Sequence, residues 1–283
     1  MAREIPQRGG ALQVARRWRW LLVGGVGLAF WVAFLVLSAI FGLDKMGPTI
    51  LVLGSLLVPV TIVIWNLDHL ADATLTGERV LFAFMGGGLL GLVLAFPINR
   101  TLVPAVESVA GVWGMLAVGL TEEAAKLVGL VLFSIGMVRY TTRNGVVLGS
   151  AVGFAFAALE TAGYASVTLP EYGLWQNGGV VGTLVSRSLA APVLHGLYTA
   201  IMGAALFHAA RGRGHLRITW VVVGVYLWVS LLHGLWNVVG DVQIPPALSW
   251  GYAAALAAAG VATLLAMWRI WVAKEDKRAV ESP

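Results

Sequence analysis

The chain contains no cysteine. That excludes disulfides, thiolate ligation of zinc or iron–sulfur clusters, and a cysteine nucleophile. It is also poor in charge: 12% of its 283 residues are Asp, Glu, Lys or Arg, against about a quarter in an average soluble domain. A water-soluble globule of this size could not cover its surface with so few charges. A cytoplasmic two-domain enzyme, a secreted domain and a disordered tail protein are thereby excluded. What fills the chain instead is apolar residues, 59% of the total. The composition predicts an all-α polytopic membrane protein.

The few charges fall in short clusters separated by long apolar stretches. Eight spans are expected, over 20–42, 47–66, 79–97, 105–138, 144–166, 183–209, 217–239 and 248–272. The fourth is too long for one perpendicular helix, and Gly111, Gly114 and Gly119 in its first half would allow a break. The run after Arg16–Arg19 exceeds the ~7–15 residues of a signal-peptide core and is read as a true span. With the N-terminus inside, fifteen of the nineteen Lys and Arg residues lie on inner segments, Arg3, Arg8, Lys277 and Arg278 among them. This bias predicts eight spans with both termini cytoplasmic. The chain reads as a single transmembrane domain over 1–283, with 1–19 as a cytoplasmic N-terminal segment and 105–240 carrying the polar motifs. The net charge of +5 is explained by this topology, so no nucleic-acid partner is expected. Gly87/Gly91, Gly149/Gly153 and the Ala-rich run 253–259 have the small-residue spacing that lets helices approach closely. Leu194-His195-Gly196-Leu197 is echoed by Leu232-His233-Gly234-Leu235, too short a likeness to count as a repeat.

Ionisable groups inside a bilayer cost ~2.5–3.5 kcal/mol each on insertion scales and mark functional sites. Span four carries Glu122, Glu123 and Lys126. Span five carries Glu160, span six His195, and span seven His233 with Asn237 one turn on. Glu122 lies 17 residues before Arg139, Glu160 17 after Arg143, His195 16 before Arg211 and His233 16 after Arg217. At ~1.5 Å per helical residue, all four sit ~24–26 Å from the inner anchors, in the outer half of the membrane. One shared level on four consecutive spans points to one polar site.

Glu122 and Glu123 point ~100° apart on a helix, and Lys126 can neutralise either. The cluster keeps one net negative charge, which suits a general base; a buried structural ion pair is the other reading. Glu160 could be a base, a metal ligand or a partner for a histidine. Asn237 could donate to a developing oxyanion or make an interhelical hydrogen bond. Arg187, near the outer end of span six, is expected to snorkel to the headgroups. His69, His208 and His215 are expected to be solvated.

Glu122-Glu123-x-x-Lys126, then Phe156-x-x-x-Glu160, then His195 and His233 on separate helices resembles the PrsW family of intramembrane proteases. That family is grouped with the CAAX prenyl endopeptidases and related bacteriocin-processing or immunity proteins. In the CAAX branch the first motif ends in Arg and the second in His; Lys126 and Glu160 favour the PrsW branch. The resemblance implies a proteolytic site inside a bundle of about eight helices. It also implies site-1 cleavage of membrane-anchored substrates such as anti-sigma factors, on their outer side, in a prokaryotic plasma membrane. Other intramembrane protease motifs are missing: His233 is followed by Gly-Leu-Trp-Asn rather than Glu-x-x-His, position 238 is Val ahead of Gly240-Asp241, and Gly149-Ser150 is followed by Ala151.

The expected reaction is peptide hydrolysis. Glu122 or Glu123 takes a proton from water, His195 orients the water or protonates the leaving amine, and His233 with Asn237 stabilises the oxyanion. Lys126 sets the charge of the glutamate pair and Glu160 the tautomer of a histidine. The same residues could instead hold zinc, so the cofactor expectation is none or zinc. Two readings fall outside proteolysis. A proton-coupled transporter would spread polar residues over several depths, and a catalytically silent scaffold or immunity factor would tolerate loss of the glutamates.

Overall fold

A computed structural model describes residues 9–176, 179–241 and 245–275. Arg3, Arg8, Lys277 and Arg278, counted for topology, and residues 1–8 of the N-terminal segment lie outside the described residues. The chain forms helices α1 (Gly9–Phe41), α2 (Gly47–His69), α3 (Gly77–Phe82), α4 (Gly88–Ala110), α5 (Met115–Ser134), α6 (Thr142–Tyr172), α7 (Val180–Ala190), α8 (His195–Ala210), α9 (Trp220–Asp241) and α10 (Pro246–Met267). Among the described residues no strand occurs, and seven helical stretches are long and apolar enough to cross a membrane.

The longest stretch, Gly77–Ser134, has 58 residues and is a hairpin. A π turn at Ala83–Gly87 joins α3 to α4, and a 3-10 turn at Gly111–Gly114 separates α4 from α5. Gly111 has φ +58°, a backbone state that costs glycine little and other residues much. From that turn the two arms pair backwards. A Cβ on Gly114 would press on Glu107, one on Gly91 would touch Phe156 and Lys126, and one on Gly86 would collide with Phe133. The hairpin raises the number of passes to eight. It also corrects the expected boundary: residues 105–110 finish the third pass, and the fourth starts at Met115. Pro97 and Pro104 lie inside α4, where membrane helices accept proline because neighbouring groups re-satisfy the freed backbone.

The sixth pass is likewise broken. Pro192 lies in a 3-10 turn at Ala191–Val193, and Leu194 has non-helical angles (φ −116°, ψ −107°). His195 therefore opens α8 rather than lying mid-helix. The pass remains one antiparallel partner of α6, because Gly145, Gly149 and Gly153 sit against the backbones of Gly203, Thr199 and His195. Here the small-residue spacing does what the sequence predicts. The Ala-rich run 253–259 does not: Ala254, Ala255 and Ala258 are exposed, and α10 approaches Leu197 and Tyr198 through Gly260. α6 and α8 form the buried centre, while α1 and α10 are the most exposed.

Groups assigned to inner segments meet at one end of the bundle. Arg19 pairs with Asp68 (2.6 Å). Arg79 donates to the carbonyls of Phe133 and Ile135 that close α5. Asp72 accepts from Thr74, Thr141 and Asn144. Partial burial opposes the Asp72 charge, but the hydrogen bonds of Thr74, Asn144 and Thr141 outweigh it and hold the carboxyl below its ordinary pKa. Glu275 receives Thr142 (2.5 Å) and pairs with Arg211 (3.4 Å). His208 is drawn into this cluster, stacked on Trp271 at 4.3 Å and 3.7 Å from Glu275. It is half-buried, contrary to expectation; His69 and His215 are exposed.

Candidate active site

Glu122 and Glu123 share a helical turn of α5 but meet different partners. Glu123 and Lys126 are completely buried and bonded to each other, Lys126 Nζ donating to Glu123 Oε1 at 2.6 Å. Such a pair costs less in an apolar interior the more of its remaining donors and acceptors are used; here Glu123 Oε1 is used and Glu123 Oε2 is buried without a partner. The ammonium also donates to His195 Nδ1 (2.9 Å) and lies 4.5 Å from the Phe156 ring. Glu123 Oε1 accepts a second bond from His233 Nδ1 (2.7 Å). Phe156, the first residue of its motif, thus covers the cluster while its partner Glu160 enters it.

These bonds fix both imidazole tautomers. Lys126 has only protons to offer, so His195 Nδ1 carries a lone pair and Nε2–H donates to Glu160 Oε2 at 3.0 Å. His233 Nδ1–H donates to Glu123 Oε1, so Nε2 presents a lone pair. That nitrogen faces Glu122 Oε2 at 3.6 Å. Glu122 Oε2 is buried with no hydrogen-bond partner. The two rings touch edge to face at 4.9 Å, so the Leu-His-Gly-Leu echo marks two segments that meet. Glu122, His195 and His233 can each offer one atom such that all three atoms lie within 4.8 Å of one another.

Five of the seven expected residues, Glu123, Lys126, Glu160, His195 and His233, form one continuous bonded network, with Glu122 facing its edge. Asn237 does not bond to it. Its side chain borders two cavities and makes no hydrogen bond to another described residue. One cavity of about 900 Å³ is mostly apolar and reaches Glu122; the other, about 200 Å³, is lined largely by polar groups and reaches both histidines. Glu160, Tyr164, Arg187, Trp236 and Asn237 border both.

Three neighbours were not foreseen. Asn99 of α4 donates to Glu122 Oε1 (3.1 Å) and accepts from the Thr121 hydroxyl. Arg187 does not snorkel: it turns inward to pair with Glu160, donates to Thr161 (3.1 Å) and lies over the Tyr164 ring. Glu160 is a carboxylate reachable from a helix break, and ion pairing there outweighs the short path to the headgroups. Tyr198 is buried beside His233 with its hydroxyl unpartnered.

Comparison with curated proteins and with solved structures finds no match. Comparison with protein families matches residues 77–273 to the PrsW family intramembrane metalloproteases. The matched region runs from α3 to just past the end of α10 and contains every residue of the cluster. Since it spans well over half of the chain, the protein belongs to the PrsW family of intramembrane metalloproteases.

Proposed function

We propose that this protease hydrolyses peptide bonds of membrane-anchored proteins, anti-sigma factors among them, at the cluster centred on Glu122, His195 and His233. The observation that carries the reading is the buried, unpartnered Glu122 Oε2 facing the lone pair of His233 Nε2. Two acceptors without a donor between them repel each other, and a cation relieves that repulsion. A Glu-His-His donor set suits zinc, and each ligand comes from a different helix. His233 already has the outer-shell carboxylate that orients metal-binding imidazoles, in Glu123.

Glu122, His195 and His233 would hold the metal, which when bound polarises a carbonyl and lowers the pKa of water. Glu160, at the wall of both cavities, takes the proton of the attacking water and passes it to the leaving amine. Arg187 holds that carboxylate in place. The Asn237 amide donates to the carbonyl oxygen as charge develops on it. Lys126 balances Glu123, which keeps the His233 Nδ1 proton in place. Both termini lie in the cytoplasm of a prokaryotic cell, so the cut falls on the outer side of the plasma membrane.

A metal-free version has one observation in its favour: both ring nitrogens of His195 are already engaged, by Lys126 and by Glu160. In that version Glu122 is the general base. Coexpression with single-span reporters, followed by detection of a cut product, tests the proteolytic site. Alanine at Glu122, His195 or His233 abolishes cutting if the assignment holds; retained cutting overturns it. Loss of cutting with a chelator and recovery with zinc selects the metal version.

A further inference from the structure

The larger cavity is a cleft between two helices. α4 and α6 run in the same direction, and the start of α4 meets the middle of α6, where a Cβ on Gly88 would lie 2.3 Å from Ala155 and one on Gly91 3.2 Å from Phe156. Farther out, Phe96, Asn99 and Val103 of α4 face Gly163, Tyr164 and Val167 of α6 across the 900 Å³ space. The rim is open to the sides of the bundle: Phe96, Tyr164 and Val167 are 65%, 54% and 68% exposed. In the membrane those side chains meet lipid. The floor is different, for Asn99, Glu122, Arg187 and Asn237 line it.

An acyl chain gains nothing from such a floor. A membrane-spanning helix has already satisfied its own backbone and keeps its peptide bonds shielded. An unwound segment needs donors and acceptors wherever it leaves the helix, and the Asn237 amide and the Asn99–Arg187 side of the cleft supply both. We propose that the cleft between the outer halves of α4 and α6 is the lateral doorway of the protease. Through it the outer end of a substrate's membrane span leaves the lipid, unwinds and reaches Glu122. The inference rests on the proteolytic reading above and adds the route and the extended form of the substrate.

Gly163 provides the test, because a Cβ there would meet nothing within 4 Å. Gly163→Phe is therefore accommodated by the fold and narrows the cleft. With a single-span reporter that the unaltered protein cuts, Gly163→Phe stops the cutting. Gly251→Phe on α10, where a Cβ also meets nothing, leaves it intact. Equal cutting by Gly163→Phe and the unaltered chain overturns the doorway. A second readout needs neither activity nor full stability of that variant. The chain has no cysteine, so one cysteine at position 96 or 167, in a Glu122→Gln background, can be oxidised against a cysteine in the reporter's outer juxtamembrane segment. Adducts form at 96 and 167 and not at 261 on α10; adducts at 261 alone, or equally at all three, overturn the doorway. Adduct formation with no cutting by the unaltered chain supports the doorway and overturns the proteolytic reading.

Discussion

Glu122 and Glu123 are neighbours in sequence with different surroundings. Glu123 Oε1 takes two hydrogen bonds, from Lys126 and His233, whereas Glu122 borders the cavity and is steadied through Oε1 by Asn99. The sequence alone left these two carboxylates interchangeable, because partners from α4 and α9 decide between them. Asn99 was illegible for a related reason: Pro97 and Arg100 look like the end of a span, yet α4 continues to Ala110. Asn99 acts on the centre as a positioning residue, orienting Glu122 through its hydrogen bond to Oε1. Asn99→Ala is expected to lower kcat/KM or metal affinity by ~10–100-fold, the usual effect of losing an outer-shell partner. Asn99→Asp, which cannot donate to a carboxylate when ionised, should not rescue, while Asn99→Gln should recover part of the loss. Unchanged kinetics and metal affinity in Asn99→Ala would remove Asn99 from the site.

At the scale of helices, polar residues recurring at one depth on four consecutive spans predicted the convergence of α5, α6, α8 and α9. The depth count survives the break before His195 because α7 and α8 continue a single antiparallel pass along α6. The break itself was hidden: Ala191-Pro192-Val193 is a short apolar run with the hydropathy of its flanks, and only backbone angles expose it. The pairing of α6 with α8 sets where His195 sits, since Gly149 and Gly153 lie against the Thr199 and His195 carbonyls at 2.2 and 2.1 Å from a built Cβ. No side chain fits there without moving backbone. Gly149→Leu is expected to destabilise the protein by at least ~1–3 kcal/mol, the cost of overpacking a close-packed interior. Thermal unfolding in detergent measures it, and Gly182→Leu, where a Cβ meets nothing within 4 Å, should unfold like the unaltered chain. Equal midpoints for both variants would contradict the tight α6–α8 seam.

For the whole molecule, scarcity of charge predicted the class and the distribution of Lys and Arg predicted the number of passes. The ends counted as inner do gather at one end, through Arg19–Asp68, the Asp72 cluster and the Glu275 cluster. The acidic and basic sites at the other level lie about seven residues into α5 from Met115, or roughly 10 Å below that end of the helix. Inward-turned Arg187 was not legible, because hydropathy records how deep a residue lies and not which side chain it faces. Glu122, His195 and His233 are proposed to form one metal-holding catalytic centre. Metal analysis of the purified protein and its single variants puts this to the test. About one zinc per chain is expected, lost in Glu122→Gln, His195→Ala and His233→Ala but kept in Gly251→Phe, with peptide cutting lost in the same three. Full cutting activity in protein stripped of metal, or zinc retained by all three ligand variants, would contradict it.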